Sequence, residues 1–360
     1  MAAAVGIGRF VYTPILPLMV EDLGMTKSAA GLLASANYAG YLAGALVAAM
    51  PGLPGSRRRW LLVALTVGAL TTAAMAVTSS RSAFLVLRFA GGVASAFGLV
   101  FSSALVLERV GRGGRPGLSA VHFAGVGTGI AVSAMVVFLS WGWRTAWLAA
   151  GLTSLVAVGI VAALIPDRRD VASTMPSHAS RTASSLTTLV AAYGLFGFGY
   201  IITATFLVAI VRGSHHVRAF EPFVWLLVGL AAAPSVRVWT AVESWIGISR
   251  AFALACGLEA IGVAASALWL SPAGVLFAAA LLGATFMGIT ALGLLWARRL
   301  APRDPRSTLA VMTAAFGFGQ IVGPVFAGMV YDATGTLVVP SLAAAGALLV
   351  GATLAITRSE

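Results

Sequence analysis

Twelve apolar runs, each about as long as a bilayer-crossing helix, follow one another along this chain with only short polar punctuation between them. A membrane span takes about 20 apolar residues at a rise of about 1.5 Å per residue. The runs fall at Ala2–Val20, Ser28–Met50, Trp60–Val77, Ala83–Leu107, Leu118–Ser140 and Trp143–Ile165, then at Leu186–Val211, Pro222–Val238, Ala251–Leu270, Pro272–Ala297, Thr308–Tyr331 and Thr336–Thr357. None alternates with a period of two, so the runs read as helices rather than strands. Composition agrees, since 59% of the 360 residues are hydrophobic and only 9% are charged, against roughly 25% in soluble domains. Polar groups this scarce cannot cover a soluble surface of that size. The sequence predicts an all-α membrane protein with twelve transmembrane helices.

Charge placement orients the spans. If they alternate from a cytoplasmic N-terminus, sixteen of the 23 basic residues fall on the cytoplasmic side. Five (Lys27, Arg81, Arg144, Arg212 and Arg218) fall outside, and Arg9 and Arg88 lie within spans. The positive-inside rule then predicts both termini in the cytoplasm and a multi-pass protein of the cell inner membrane. The net charge of +12 is read as this topology signal and not as a nucleic-acid footprint, because no extended basic face with interleaved aromatics is present. Cys256 is the single cysteine, which excludes an internal disulfide and a cysteine-based metal site. The opening MAAAVGIGRF lacks the basic segment of a secretory signal, and none is expected.

The longest polar stretch, PDRRDVASTMPSHASRTASS, reads as a cytoplasmic linker over 166–185. It divides the chain into six-span units at 1–165 and 186–360. The units echo one another: Gly6-Ile-Gly8-Arg9-Phe10 aligns with Gly197-Phe-Gly199-Tyr200-Ile201, and Gly125-Val-Gly127 with Gly317-Phe-Gly319, at offsets of 191 and 192 residues. Such internal repeats are typical of transporter folds.

Six spans, a central linker and six related spans resemble the major facilitator superfamily. GIGRFVYTPILPLM near the start and HFAGVGTGIA at 122–131 are similar to its YbfB/YjiJ-type bacterial branch. The resemblance implies two pseudo-symmetric bundles, with spans 1, 4, 7 and 10 lining a central cavity. Motifs carry over unevenly. After span 2, Gly55-Ser56-Arg57-Arg58-Arg59 keeps the family's basic run without its acidic residue, leaving arginines to bind helix C-termini or lipid phosphate. Arg88-Phe89-Ala90-Gly91-Gly92 is similar to the family's Arg-x-x-Gln-Gly. Gly319 to Gly328 in span 11 resembles an exporter motif that normally sits in span 5.

Ionisable groups at membrane depth need a reason, because each costs at least ~2.5–3.5 kcal/mol on insertion scales. Arg9 lies in span 1 beside Gly6 and Gly8, with Tyr12 one turn along the same face and Pro14 and Pro17 beyond. It reads as a guanidinium for an anionic solute, the alternative being a side chain that snorkels to the interface. Arg88, His122, Glu259 and Glu108 are candidates for coupling or gating; Glu108 also reads as an i, i+4 partner of Arg112. Asn37, Tyr38, Tyr41, Tyr200, Thr203 and Gln320 are the uncharged candidates for substrate binding, with Tyr12 and Arg9. Trp60, Trp143, Trp147 and Trp296 fall near span ends and read as interface anchors.

The expected function is a secondary transporter of a small organic solute by alternating access, coupled to protons and acting as a monomer. A multidrug or metabolite exporter is the alternative within transport, and a non-transporting membrane sensor the alternative outside it. No cofactor is expected, and His215-His216 reads as solvated surface rather than a metal site. An enzyme is disfavoured, since no nucleophile, base and orienting group occur together and no Walker A loop is present.

Overall fold

The computed structural model describes residues 1–50, 53–113, 117–165, 184–301 and 305–357, without the side chains of 107–119, 184 and 302–306. Within those residues all regular structure is helical, and twelve helices are long and apolar enough to span a membrane. In chain order they are α1 Ala2–Leu23, α2 Lys27–Ala48, α3 Arg57–Val77, α4 Arg81–Val106, α5 Ala120–Phe138 and α6 Trp143–Leu164. The second set is α7 Ser185–Gly213, α8 Arg218–Ile246, α9 Ile248–Leu268, α10 Pro272–Leu300, α11 Ser307–Thr334 and α12 Val338–Thr357. The linker expected at 166–185 lies almost wholly outside the described residues, as do Pro51 and Gly52.

The predicted spans and the helices coincide, with one clear difference. Span 8, expected to stop at Val238, continues two turns to Ile246. Arg237 is exposed just before this extension, and Glu243, on it, is held by Arg299 of α10 at 2.7 Å. Charges that looked like a loop are the solvent-facing end of a helix, where long side chains reach water without breaking the backbone.

Local chemistry explains the turns. Gly24 ends α1 in the left-handed conformation, at φ 59°, where a side chain would be strained. Thr26 then caps α2 by accepting the Ala29 N–H at 3.1 Å. Arg58 donates to the Ala162 and Ile165 carbonyls at 2.8 and 2.5 Å, so the basic run after α2 binds the C-terminus of α6.

The two sets of six helices are arranged alike. Within each set the second and fourth helices pack together, as do the third and sixth. Gly92 of α4 lies against the Asn37 carbonyl, and Gly283 of α10 against the Val228 carbonyl; the two pairs are related by the same 191-residue offset. Between the sets, α2 packs on α11 and α5 on α8. These seams are backbone-close: a methyl group on Gly31 would collide with the Pro324 carbonyl, and one on Gly127 with Ala233. The Gly-Pro run of α11 is thus part of the α2 seam. α1 and α7 meet at the pseudo-twofold axis, where Thr13 donates to the Ala204 carbonyl at 2.6 Å across the offset of 191.

Candidate functional site

Arg9 sits where α1 is least regular. A wide-turned π-helix covers Ala2–Ile7, a short α-helical stretch follows at Gly8–Phe10, and Tyr12–Leu23 continues with Pro17 inside it. Proline supplies no N–H, so carbonyls here lose their usual partner and the helix bends. The guanidinium points inward at 5% exposure, which rules out snorkelling. Its Nη2 donates to Gln320 Oε1 of α11 at 2.6 Å, and the Gln320 amide in turn donates to the Tyr200 hydroxyl of α7. Tyr200 is the residue that aligns with Arg9 in the repeat, so Gln320 bridges the axis between two equivalent positions.

Around this bridge the walls are aromatic. The Arg9 guanidinium carbon lies 4.3 Å from the Tyr41 ring centre, 4.8 Å from Tyr38 and 5.5 Å from Phe10. Contacts of this kind are worth about 0.5–2 kcal/mol, more as water is excluded. Tyr200 stacks nearly parallel between Phe286 and Phe316, at 5.8 and 5.7 Å. Tyr193 and Phe196 extend that column.

Arg88 of α4 stands behind Arg9 at 3% exposure, not turned outward beside Arg81. It lies over the rings of Tyr12 at 4.7 Å and Trp147 at 5.8 Å, and reaches the Arg9 carbonyl at 3.4 Å. Asn37 donates to the Arg88 carbonyl at 2.9 Å. Tyr12, expected to share the face of Arg9, lies instead under Arg88, with its hydroxyl donating to the Ala30 carbonyl at 2.7 Å. Among the described residues no carboxylate lies within 4 Å of either guanidinium. Arg9 Nε, Arg88 Nε and Asn37 Oδ1 are buried without a hydrogen-bond partner, and so is the Thr203 hydroxyl. Donors outnumber acceptors, an arrangement suited to receiving an anion.

Arg88 is the coupling candidate that joins this array; His122 and Glu259 make no hydrogen bond to it. His122 is half-buried on α5, with Nε2 3.3 Å from the Ser103 hydroxyl. Glu259 is fully buried on α9. Neither of its oxygens meets hydrogen-bond geometry, and the neighbouring Thr285 hydroxyl is committed to the Leu281 carbonyl at 2.7 Å. The side chain of Glu108 lies outside the described residues. His215 and His216 are exposed, and no cluster of metal-binding side chains occurs among the described residues.

Two expected interface anchors prove to be interior. Trp147 is fully buried beneath Arg88, and Trp143 donates to Asp22 at 2.6 Å with 3% exposure. Trp141, Trp245 and Trp269, at 98%, 81% and 50%, are the exposed tryptophans at helix ends. Sequence reasoning passed over Phe286, Phe316, Tyr193 and Trp225. Aromatics inside uniformly apolar spans carry no mark of the face they occupy.

Residues 1–356 match a family profile described as "Uncharacterised MFS-type transporter YbfB". The chain belongs to this YbfB-type family of the major facilitator superfamily. The MFS-type transporter YceJ of Bacillus subtilis is 24% identical over 355 residues, spanning 92% of this chain and 87% of that protein. A gallate transporter of Pseudomonas putida is 28% identical over 181 residues, which is 49% of this chain and 40% of that one. Among solved structures, two of the nucleoside transporter NupG superpose with TM-scores of 0.75 and 0.70 at 15% and 14% identity, covering 100% and 99% of this chain and 99% and 96% of theirs. The twelve-helix architecture is therefore the major facilitator fold, and the protein is a multi-pass membrane transporter whose relatives are transporters and not enzymes.

Proposed function

We propose that this transporter carries a small aromatic carboxylate by alternating access, with Arg9 as the carboxylate-binding group. One observation carries the reading: a guanidinium lies between the two halves at mid-span depth with only a neutral amide and aromatic rings around it. A charge so placed is costly to leave uncompensated. A substrate carboxylate supplies the missing charge, and the planar fork of arginine fits it with two parallel hydrogen bonds. Tyr38, Tyr41 and Tyr200 offer ring faces and hydroxyls to an aromatic body, while Asn37, Gln320 and Thr203 supply polar contacts to its substituents. The partial likeness to a gallate transporter supports the same solute class.

The rocking units are residues 1–165 and 186–360, joined by the linker 166–185. The positive-inside distribution supports cytoplasmic termini and insertion in the inner membrane. Coupling to protons is assigned to Glu259, the fully buried acid of α9, with His122, Arg88 and Glu108 in gating. The test is uptake of radiolabelled benzoate into proteoliposomes with and without an inward proton gradient. Gradient-stimulated, saturable uptake is expected. Uptake of neutral benzyl alcohol but not of benzoate would overturn the solute class, and uptake indifferent to the gradient would overturn the coupling.

A further inference from the structure

The two seams between the halves end differently at the end where α1 finishes. On the α2–α11 side, Asp332 of α11 accepts the Lys27 and Ser28 N–H groups at 3.0 and 3.1 Å, so a carboxylate from one half closes the helix N-terminus of the other. At the repeat offset of 192 the place of Asp332 is taken, just past the end of α5, by Ser140, whose hydroxyl turns back to the Val136 carbonyl. No side chain caps the N-terminus of the α8 helix, Glu221–Ile246. On this side the seam does not close. A cleft of about 200 Å³ remains, with Pro14, Leu18, Phe138 and Val208 in its walls and Arg212 and Glu221 at its polar edge.

Two features of the cleft point to a ligand. Trp225 lines it at 1% exposure with its indole N–H unpartnered. The same ring borders the small cavity shared by Phe10, Tyr200 and Phe286, so it is the partition between the cleft and the Arg9 array. Arg212, in turn, holds Glu21 of α1 with two bonds of 2.7 Å, and Glu221 of its own half at 2.9 Å. Glu21 and Arg212 are equivalent positions, 191 residues apart, and with Arg218, 3.8 Å from Glu21, they form a charged latch across the axis. Glu21 is half-exposed at 51%, so its bond is screened and exchangeable.

We propose that the α5–α8 cleft is a docking site for the solute's carboxylate, where the ligand displaces Glu21 from Arg212 and so unlatches this end of the transporter. The ligand carboxylate fills the role that Asp332 plays on the other seam, the apolar walls hold the ring, and the Trp225 N–H takes the remaining oxygen. The cleft is below the roughly 300–1,000 Å³ of drug-sized pockets, which limits the occupant to a single-ring molecule. The assignment rests on the aromatic-carboxylate reading above.

The experiment places spin labels at the exposed positions Ser82→Cys and His215→Cys, one in each half, in a Cys256→Ser background, with the protein in phosphatidylcholine vesicles. Benzoate is expected to shift the inter-label distances to a longer population, and benzyl alcohol to leave them unchanged. Glu21→Gln should produce the longer population without ligand. Trp225→Phe should raise the benzoate concentration needed several-fold. Benzoate uptake without a distance shift, or a shift unaffected by Trp225→Phe, would overturn the docking site while leaving the carboxylate reading intact. A shift that follows phosphatidylglycerol and not benzoate would assign the cleft to lipid and overturn the proposal. A benzoate shift without benzoate uptake would support the docking site and remove the transport reading.

Discussion

Arg9 and Arg212 are both guanidiniums that reach from one half of the transporter to the other, yet their surroundings are opposite. Arg212 is partly exposed and holds two carboxylates, Glu21 and Glu221. Arg9 is buried and holds the amide of Gln320 and the faces of tyrosines. Electrostatics alone would place the counter-charges the other way round, since a buried ion needs a partner far more than an exposed one does. Under the proposed function the difference has a reason: the protein supplies its own anion where the contact latches the halves, and leaves the anion to the ligand where the contact binds it.

The largest expected effect comes from removing the uncompensated charge. Arg9→Gln should lower kcat/KM for benzoate uptake by about two orders of magnitude, in line with losing a charge-assisted pair worth about 3 kcal/mol. Arg9→Lys should recover only part of it, because an ammonium cannot present the planar fork. Proteoliposome uptake measures both.

Next in size is a substitution that turns one region into a copy of the other. Gln320→Glu gives Arg9 an internal carboxylate at the position of the present 2.6 Å bond. Benzoate affinity should fall at least about tenfold while the thermal midpoint is unchanged or higher, because the new pair satisfies the charge the ligand otherwise satisfies. Titration calorimetry and a melting curve on the same sample read out both.

A smaller effect tests the packing that brings the halves together. Gly31→Val puts a branched side chain against the Pro324 backbone and should part α2 from α11. The thermal midpoint should fall and transport with it, whereas Gly346→Val, at a glycine with open space, should leave both near native values. The smallest effect belongs to the exposed latch. Glu21→Gln should cost less than about 1 kcal/mol of stability, as exposed ion pairs do, and high salt should reduce the difference further.

The twelve spans are legible in the sequence because bilayer thickness dictates their length and composition, and the array is legible because charge is so expensive in that setting. Arg9, Arg88, Asn37, Tyr38, Tyr41, Tyr200 and Gln320 announce themselves as polar groups in apolar runs, and the structure gathers them around Arg9, with Arg88, Asn37, Tyr38 and Tyr41 from within the first half and Tyr200 and Gln320 from the second. Phe286, Phe316 and Trp225 could not be found that way. A helix in lipid has apolar residues on both its buried and its exposed face, so periodicity no longer separates wall from surface. Trp143 and Trp147 were misplaced for a related reason. A tryptophan near a span end looks the same in sequence whether it meets lipid headgroups or, as here, Asp22 and Arg88. The end of α8 was set too early because Arg237 and Glu243 resemble a loop, although they occupy the water-facing turns of a continuing helix.

The most direct test compares the affinity of benzoate with that of benzyl alcohol, in the native transporter and in Arg9→Gln. The account predicts that the native protein prefers the carboxylate by about a hundredfold and that Arg9→Gln binds the two about equally. Retention of the carboxylate preference after Arg9 is neutralised would contradict the assignment of the buried guanidinium as the anion-binding group.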